Sequence, residues 1–114
     1  MTLEEYQKQA ISTDTFGGKS DEIFTKAFMS KLLGLVGESG ELAEKFKKIL
    51  RDKDGQMSKD DKVEIIKELG DVLWYVSALA HYLEVSLEDV ASGNLAKVLS
   101  RKQRGATHGS GDNR

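Results

Sequence analysis

From residue 28 to residue 49 the apolar side chains fall at Phe28, Leu32, Leu35, Leu42, Phe46 and Ile49, in steps of four and three with Ser39 in the one gap. Residues at that spacing share one face of an α-helix, so the pattern predicts a long helix carrying a bundle seam. A second set follows in the same rhythm: Ile66, Leu69, Leu73, Val76, Ala80 and Leu83. Ile65, Val72 and Leu79 widen it into a second apolar stripe. Residues 72–83 carry no formal charge, which predicts that this helix is central. The chain has no proline among its 114 residues, and no segment shows the alternation or β-branched enrichment of a strand. The expected fold is all-α.

Local signals divide the chain into four main helices. Thr2 with Glu5 forms a capping box and opens a short helix with Leu3, Tyr6 and Ala10 on one side. Residues 14–19, with Gly17 and Gly18, read as a loop, and Ser20 or Asp21 is expected to start the second helix. A charged loop is expected over residues 51–56 before Ser58 and Asp61 restart helix. Ser86, with Asp89 three residues on, caps a fourth helix bearing Leu87, Val90, Ala91, Leu95, Val98 and Leu99. The expectation is a helical bundle of one domain over residues 1–104. Residues 105–114 form a polar, Gly-rich tail that composition alone marks as disordered.

Two acidic pairs sit on the two longest of these helices. Glu38 and Glu41 are three residues apart, as are Glu68 and Asp71. Each pair shares a helix face, with Cβ atoms about 5–6 Å apart. A solvated face explains most such pairs. Glu68, however, lies four residues before Val72 on the second apolar stripe, and Asp71 lies beside it. If the two helices pack with the pairs level, four carboxylates converge. Unit charges about 6 Å apart repel by about 3 kcal/mol at an effective dielectric of about 20, which favours a counter-cation. The donors are hard oxygens, so the metal reading is Mg²⁺ or Mn²⁺ rather than zinc.

Composition excludes several other classes. A net charge of −2 gives no overall field toward nucleic acid or a membrane surface. Residues 72–83 are too few and too polar to span a bilayer, and the first residues do not resemble a signal peptide. The absence of Cys removes thiolate chemistry and suits a cytoplasmic protein. Neither His81 nor His108 follows a Glu by three residues, so the Glu-x-x-His pattern of a di-iron bundle is missing. No P-loop, nucleophile elbow or dinucleotide fingerprint occurs.

The remaining candidates each have two readings. Gly34, Gly37 and Gly40 interrupt the second helix at up to about 1 kcal/mol each. They admit a close-packed neighbouring helix, clear space for a ligand beside Glu38 and Glu41, or do both. Lys45, four residues past Glu41, is either part of a solvated face or a phosphate contact. Trp74, Tyr75 and Tyr82 read as core or subunit-interface aromatics, with base stacking as the less ordinary role. On the fourth helix Asn94, Lys97 and Arg101 fall roughly in line.

Taken in order, Gly37-Glu38-Ser39-Gly40-Glu41-Leu42-Ala43-Glu44, a spacer of 26 residues and Glu68-Leu69-Gly70-Asp71-Val72-Leu73-Trp74-Tyr75 resemble the MazG-like nucleoside triphosphate pyrophosphohydrolases. The resemblance runs from about Ile23 onward. Asn94-x-x-Lys97 is similar to that family's later motif, and residues 104–114 to the tails of its small members. Ser39 stands where many relatives have an apolar residue. The resemblance implies an all-α, Mg²⁺-dependent enzyme that assembles as a homodimer or homotetramer. It would cleave a nucleoside triphosphate between the α- and β-phosphates to a monophosphate and pyrophosphate. By position it implies Glu38, Glu41, Glu68 and Asp71 as catalytic metal ligands, and Asn94 and Lys97 as substrate contacts.

Arg101 and Lys45 are added here as further substrate contacts, and Arg104 and Arg114 as charges brought over a phosphate site. The alternatives are a specialised relative acting on dUTP, dCTP or phosphoribosyl-ATP, or a non-catalytic helical oligomerisation module.

Overall fold

A hydroxyl starts every helix among the described residues, which are 1–16 and 22–114 of the computed structural model. Thr2, Thr25, Ser58 and Ser86 each accept a hydrogen bond from the backbone N–H three residues on, satisfying a donor that helix geometry leaves unpaired. The helices are α1 (Leu3–Ile11), α2 (Lys26–Lys53), α3 (Lys59–Tyr82) and α4 (Leu87–Arg104), with no strand among the described residues. Capping boxes close at Thr2/Glu5 and Ser58/Asp61 as the sequence predicts.

Two boundaries differ from the sequence reading. Ser20 and Asp21, expected to start the second helix, lie outside the described residues, and α2 begins after Thr25 instead. Its other end runs to Lys53, past the residue-51 start expected for the loop. The stop comes where Asp54 and Gly55 take positive φ of 51° and 75° and Gly55 N–H reaches back to the Ile49 carbonyl. Asp54 tolerates that conformation, and Gly55 favours it.

The short connection makes α2 and α3 an antiparallel hairpin, and cross-helix pairs mark its register. Lys53 meets Asp61 at 2.7 Å near the turn, and Lys45 meets Glu68 at 3.4 Å further along. Beyond them Gly34 faces Tyr75, and the rings of Phe28 and Tyr82 meet edge to face at 6.0 Å. A Cβ on Gly34 would run into the Tyr75 ring, so this glycine admits a close neighbour. Gly37 and Gly40 face open space.

Helix α1 packs on α3, and α4 meets both. Gln7 is the clamp. Its buried amide donates to the Ser77 and Val85 carbonyls, and its oxygen accepts from Leu87 N–H. A buried side-chain amide is stabilising only when its hydrogen-bonding capacity is met, and here both ends are engaged.

Burial corrects the assignment of the seams. Ile65 of the second stripe is buried, and so are Ala78, Ala80 and Tyr82. The first stripe is split: Ala80 is buried, while Ile66, Leu69 and Leu83 are at least half exposed. Leu33 (67%), Val36 (65%) and Leu50 (71%) on α2 are more exposed still. The apolar arc is wider than one neighbouring helix can cover. No helix among the described residues is long and apolar enough to cross a membrane.

Candidate metal centre and adjoining cavity

The hairpin register decides which acids meet. Glu38 on α2 comes level with Glu68 and Asp71 on α3, and one carboxylate oxygen from each lies within 4.8 Å of the other two. Glu38 and Glu68 are half-buried and Asp71 is exposed. Glu41, one turn along from Glu38, is exposed and outside this group of three. Burial, a hydrogen bond with Glu68 and the charges of Asp71, Glu68 and Glu41 push the Glu38 carboxyl above its ordinary value. A carboxyl in this position resists ionising without a cation, by desolvation first and like charge second.

Lys45 supplies part of that positive charge. Its ammonium lies 3.4 Å from a Glu68 oxygen, so it is engaged with the acid cluster. Tyr6 of α1 also borders the site, with its phenol raised by burial and by the charge of Asp71. Nothing in the sequence distinguished Tyr6 from an ordinary apolar-face residue.

Glu38, Asp71, Trp74 and Tyr75 line a cavity of about 340 Å³. The two aromatic rings meet edge to face at 5.0 Å. The Trp74 indole N–H is held by the Ala10 carbonyl and the Thr13 hydroxyl. The same two aromatics line a second cavity of about 260 Å³ with Asp14, Phe16, Ser30 and Lys31. Lys31 and Asp14 pair there at 2.8 Å with both side chains buried, and the Tyr82 hydroxyl donates to Asp14 at 3.1 Å. Burial alone would raise Asp14; its bonds to Lys31, Phe16 N–H and Tyr82 outweigh that and hold it below the ordinary carboxylate value. This ion pair left no signal in the sequence, because its partners are 17 residues apart across the loop.

The α4 candidates lie elsewhere. Asn94 is exposed, and neither it nor Lys97 or Arg101 lines the cavity beside the acids. Lys97 and Arg101 both bind Asp112 of the tail, at 3.1 and 3.2 Å. Arg104 donates to the Arg114 carbonyl, and the Arg114 guanidinium donates to the Ala106, Thr107 and Gly111 carbonyls. The tail that composition marks as disordered is therefore folded onto the end of α4. The backbone of a polar segment can be ordered when an arginine satisfies several of its carbonyls at once.

A sequence profile of the MazG nucleotide pyrophosphohydrolase domain matches residues 26–105. The chain belongs to that family. The MazG match spans the four candidate metal ligands and the four candidate substrate contacts, and leaves out α1 and the last nine residues, Arg114 among them. A similar protein, the Gene 37 protein of Mycobacterium phage L5, is 46% identical over 114 residues, covering the whole of both chains. Its name states no activity. No solved structure matches the chain.

Proposed function

We propose that this MazG-family protein is a Mg²⁺-dependent nucleoside triphosphate pyrophosphohydrolase acting in the cytoplasm. The observation that supports it best is the three-acid group of Glu38, Glu68 and Asp71 opening onto a cavity walled by Trp74 and Tyr75. Three oxygens within 4.8 Å fit a hard divalent cation, and Glu41, one turn from Glu38, supplies the fourth carboxylate. When bound, the cation neutralises phosphate charge and supplies Lewis acidity.

The protein's own residues do the rest. The aromatic pair takes the nucleoside, which sets the α-phosphate beside the acids. A carboxylate of the cluster accepts a proton from water as the water oxygen bonds to the α-phosphorus. The bond from that phosphorus to its bridging oxygen breaks, and pyrophosphate leaves. Asn94, Lys97 and Arg101 contact the departing phosphates, while Lys45 balances Glu68.

The working form is a homodimer or homotetramer. A 114-residue domain has a radius of gyration of about 13 Å when compact, and this chain measures 17.0 Å with Ile66 and Leu69 of its α3 seam half exposed. A second copy covers that seam and brings another α4 within reach of the acids.

Asp71→Asn and Glu41→Gln are expected to abolish pyrophosphate release while leaving the helical circular dichroism unchanged. Full activity in either variant would overturn the ligand assignment.

A further inference from the structure

One oxygen of Asp112 receives two cations. Lys97 Nζ lies 3.1 Å from Oδ1 and Arg101 Nη2 lies 3.2 Å from the same atom. Lys97 and Arg101 are four residues apart on α4, so in the absence of an anion they repel one another. The Arg101 side chain is about nine-tenths buried, and its Nε–H is buried without a partner. This is the geometry of an oxyanion site with donor capacity to spare. The chain's own carboxylate sits in it.

The tail is built to hold that carboxylate there. Gly105 and Gly111 take positive φ of 70° and 81°, which turn the chain back along α4. A Cβ on Gly109 would run into the Arg114 side chain, so the glycine makes room for it. Arg114 then ties together the Ala106, Thr107 and Gly111 carbonyls, while Arg101 grips the Asp112 carbonyl at 2.6 Å. Arg114 thus serves as a latch for the tail, its charge turned to backbone carbonyls and not to a phosphate.

We propose that Lys97 and Arg101 form a phosphate-binding site that Asp112 occupies in the resting protein, and that a polyphosphate must displace the Asp112 carboxylate to enter. The site offers two cationic contacts, one of them a buried guanidinium, which suits a tetrahedral oxyanion better than a single exposed carboxylate. Asp112 itself remains largely exposed at its side chain, so the contact is weak enough to exchange. The same two cations hold the Asp112 carboxyl below its ordinary value, so it is charged at neutral pH and competes as an anion. The proposal rests on the reading of Lys97 and Arg101 as phosphate contacts, but not on catalysis.

Inorganic pyrophosphate, titrated calorimetrically into the full-length protein without metal, tests the site apart from turnover. Asp112→Asn removes the competing charge and keeps the main-chain contact. It is expected to tighten pyrophosphate binding by about two- to fivefold. Arg114→Gln, which opens the latch, tightens it in the same direction, and Lys97→Gln weakens it. Unchanged or weaker binding in Asp112→Asn overturns the proposal, as does weaker binding in Arg114→Gln, which would make the tail part of the grip. Absence of binding in every form overturns it too. If the protein binds pyrophosphate in this pattern yet hydrolyses no triphosphate, the latch stands and the pyrophosphohydrolase reading fails.

Discussion

Lys45 on α2 sits 3.4 Å from Glu68 on α3, a lysine lodged against the acid cluster. Its ammonium offsets one of the negative charges that gather there. A partly exposed pair of this kind contributes about 0.2–1 kcal/mol.

Lys45→Gln is therefore expected to tighten Mg²⁺ binding by about threefold, since the cluster loses its internal counter-charge. Stability without metal falls by about 0.5 kcal/mol. Calorimetric Mg²⁺ titration and urea unfolding read the two effects. If Lys45 contacts only phosphate, Mg²⁺ affinity stays unchanged and KM for the nucleotide rises.

Glu38 makes the opposite case. Its carboxyl is raised by burial first and by neighbouring acids second, so ionising it in the folded state at neutral pH opposes folding. Glu38→Gln should raise metal-free stability by about 0.3–0.5 kcal/mol, a figure kept small by solvent screening. Mg²⁺ is expected to raise the Tm of the parent protein, and the same change should abolish that increase. A parent Tm that ignores Mg²⁺ would contradict this.

The glycines of α2 separate by what faces them. Gly34→Ala drives a methyl into the Tyr75 ring and is expected to cost about 1–3 kcal/mol. Gly37→Ala and Gly40→Ala meet open space and should gain about 0.5–1 kcal/mol from helix propensity. Denaturant unfolding of the three variants checks the order. A gain at Gly34 would mean that Tyr75 moves aside at little cost.

Much of this was legible in the residues themselves. Helix number and the capping hydroxyls at Thr2, Ser58 and Ser86 follow from spacing that local chemistry enforces. Spacing offered four acids as candidates, and the register of the α2–α3 hairpin groups Glu38 with Glu68 and Asp71 and leaves Glu41 outside. The seams were harder. Spacing places Ile66 and Leu69 on one face but cannot say whether a neighbour in the same chain covers it, and here none does. Composition misread the tail because a compositional average cannot see that Arg101, Arg104 and Arg114 donate to its carbonyls. Asp14 and Lys31 were invisible for a similar reason. A buried ion pair depends on residues distant in the chain meeting in space, and sequence separation hides that.

That pair contributes to the acid limb of stability. Asp14 is depressed in the folded protein relative to an unfolded value of about 3.9. Its contribution is present in full above that value and is lost as pH falls through the lower folded one. Asp14→Asn should flatten the fall in Tm below about pH 4. Lys31→Met leaves the carboxylate buried and unpaired, costing about 3 kcal/mol at neutral pH. Thermal unfolding between acid and neutral pH measures both, and an Asp14→Asn profile parallel to the parent's would contradict the assignment.

The central claim is that the Glu38, Glu68 and Asp71 cluster and its aromatic cavity cleave a triphosphate at the α-phosphorus. A panel of ribo- and deoxyribonucleoside triphosphates, incubated with the full chain and Mg²⁺, tests it directly. At least one should yield monophosphate and pyrophosphate in equal amounts, with no turnover when the metal is chelated. Release of orthophosphate, or no turnover of any triphosphate by the folded protein, would contradict the account.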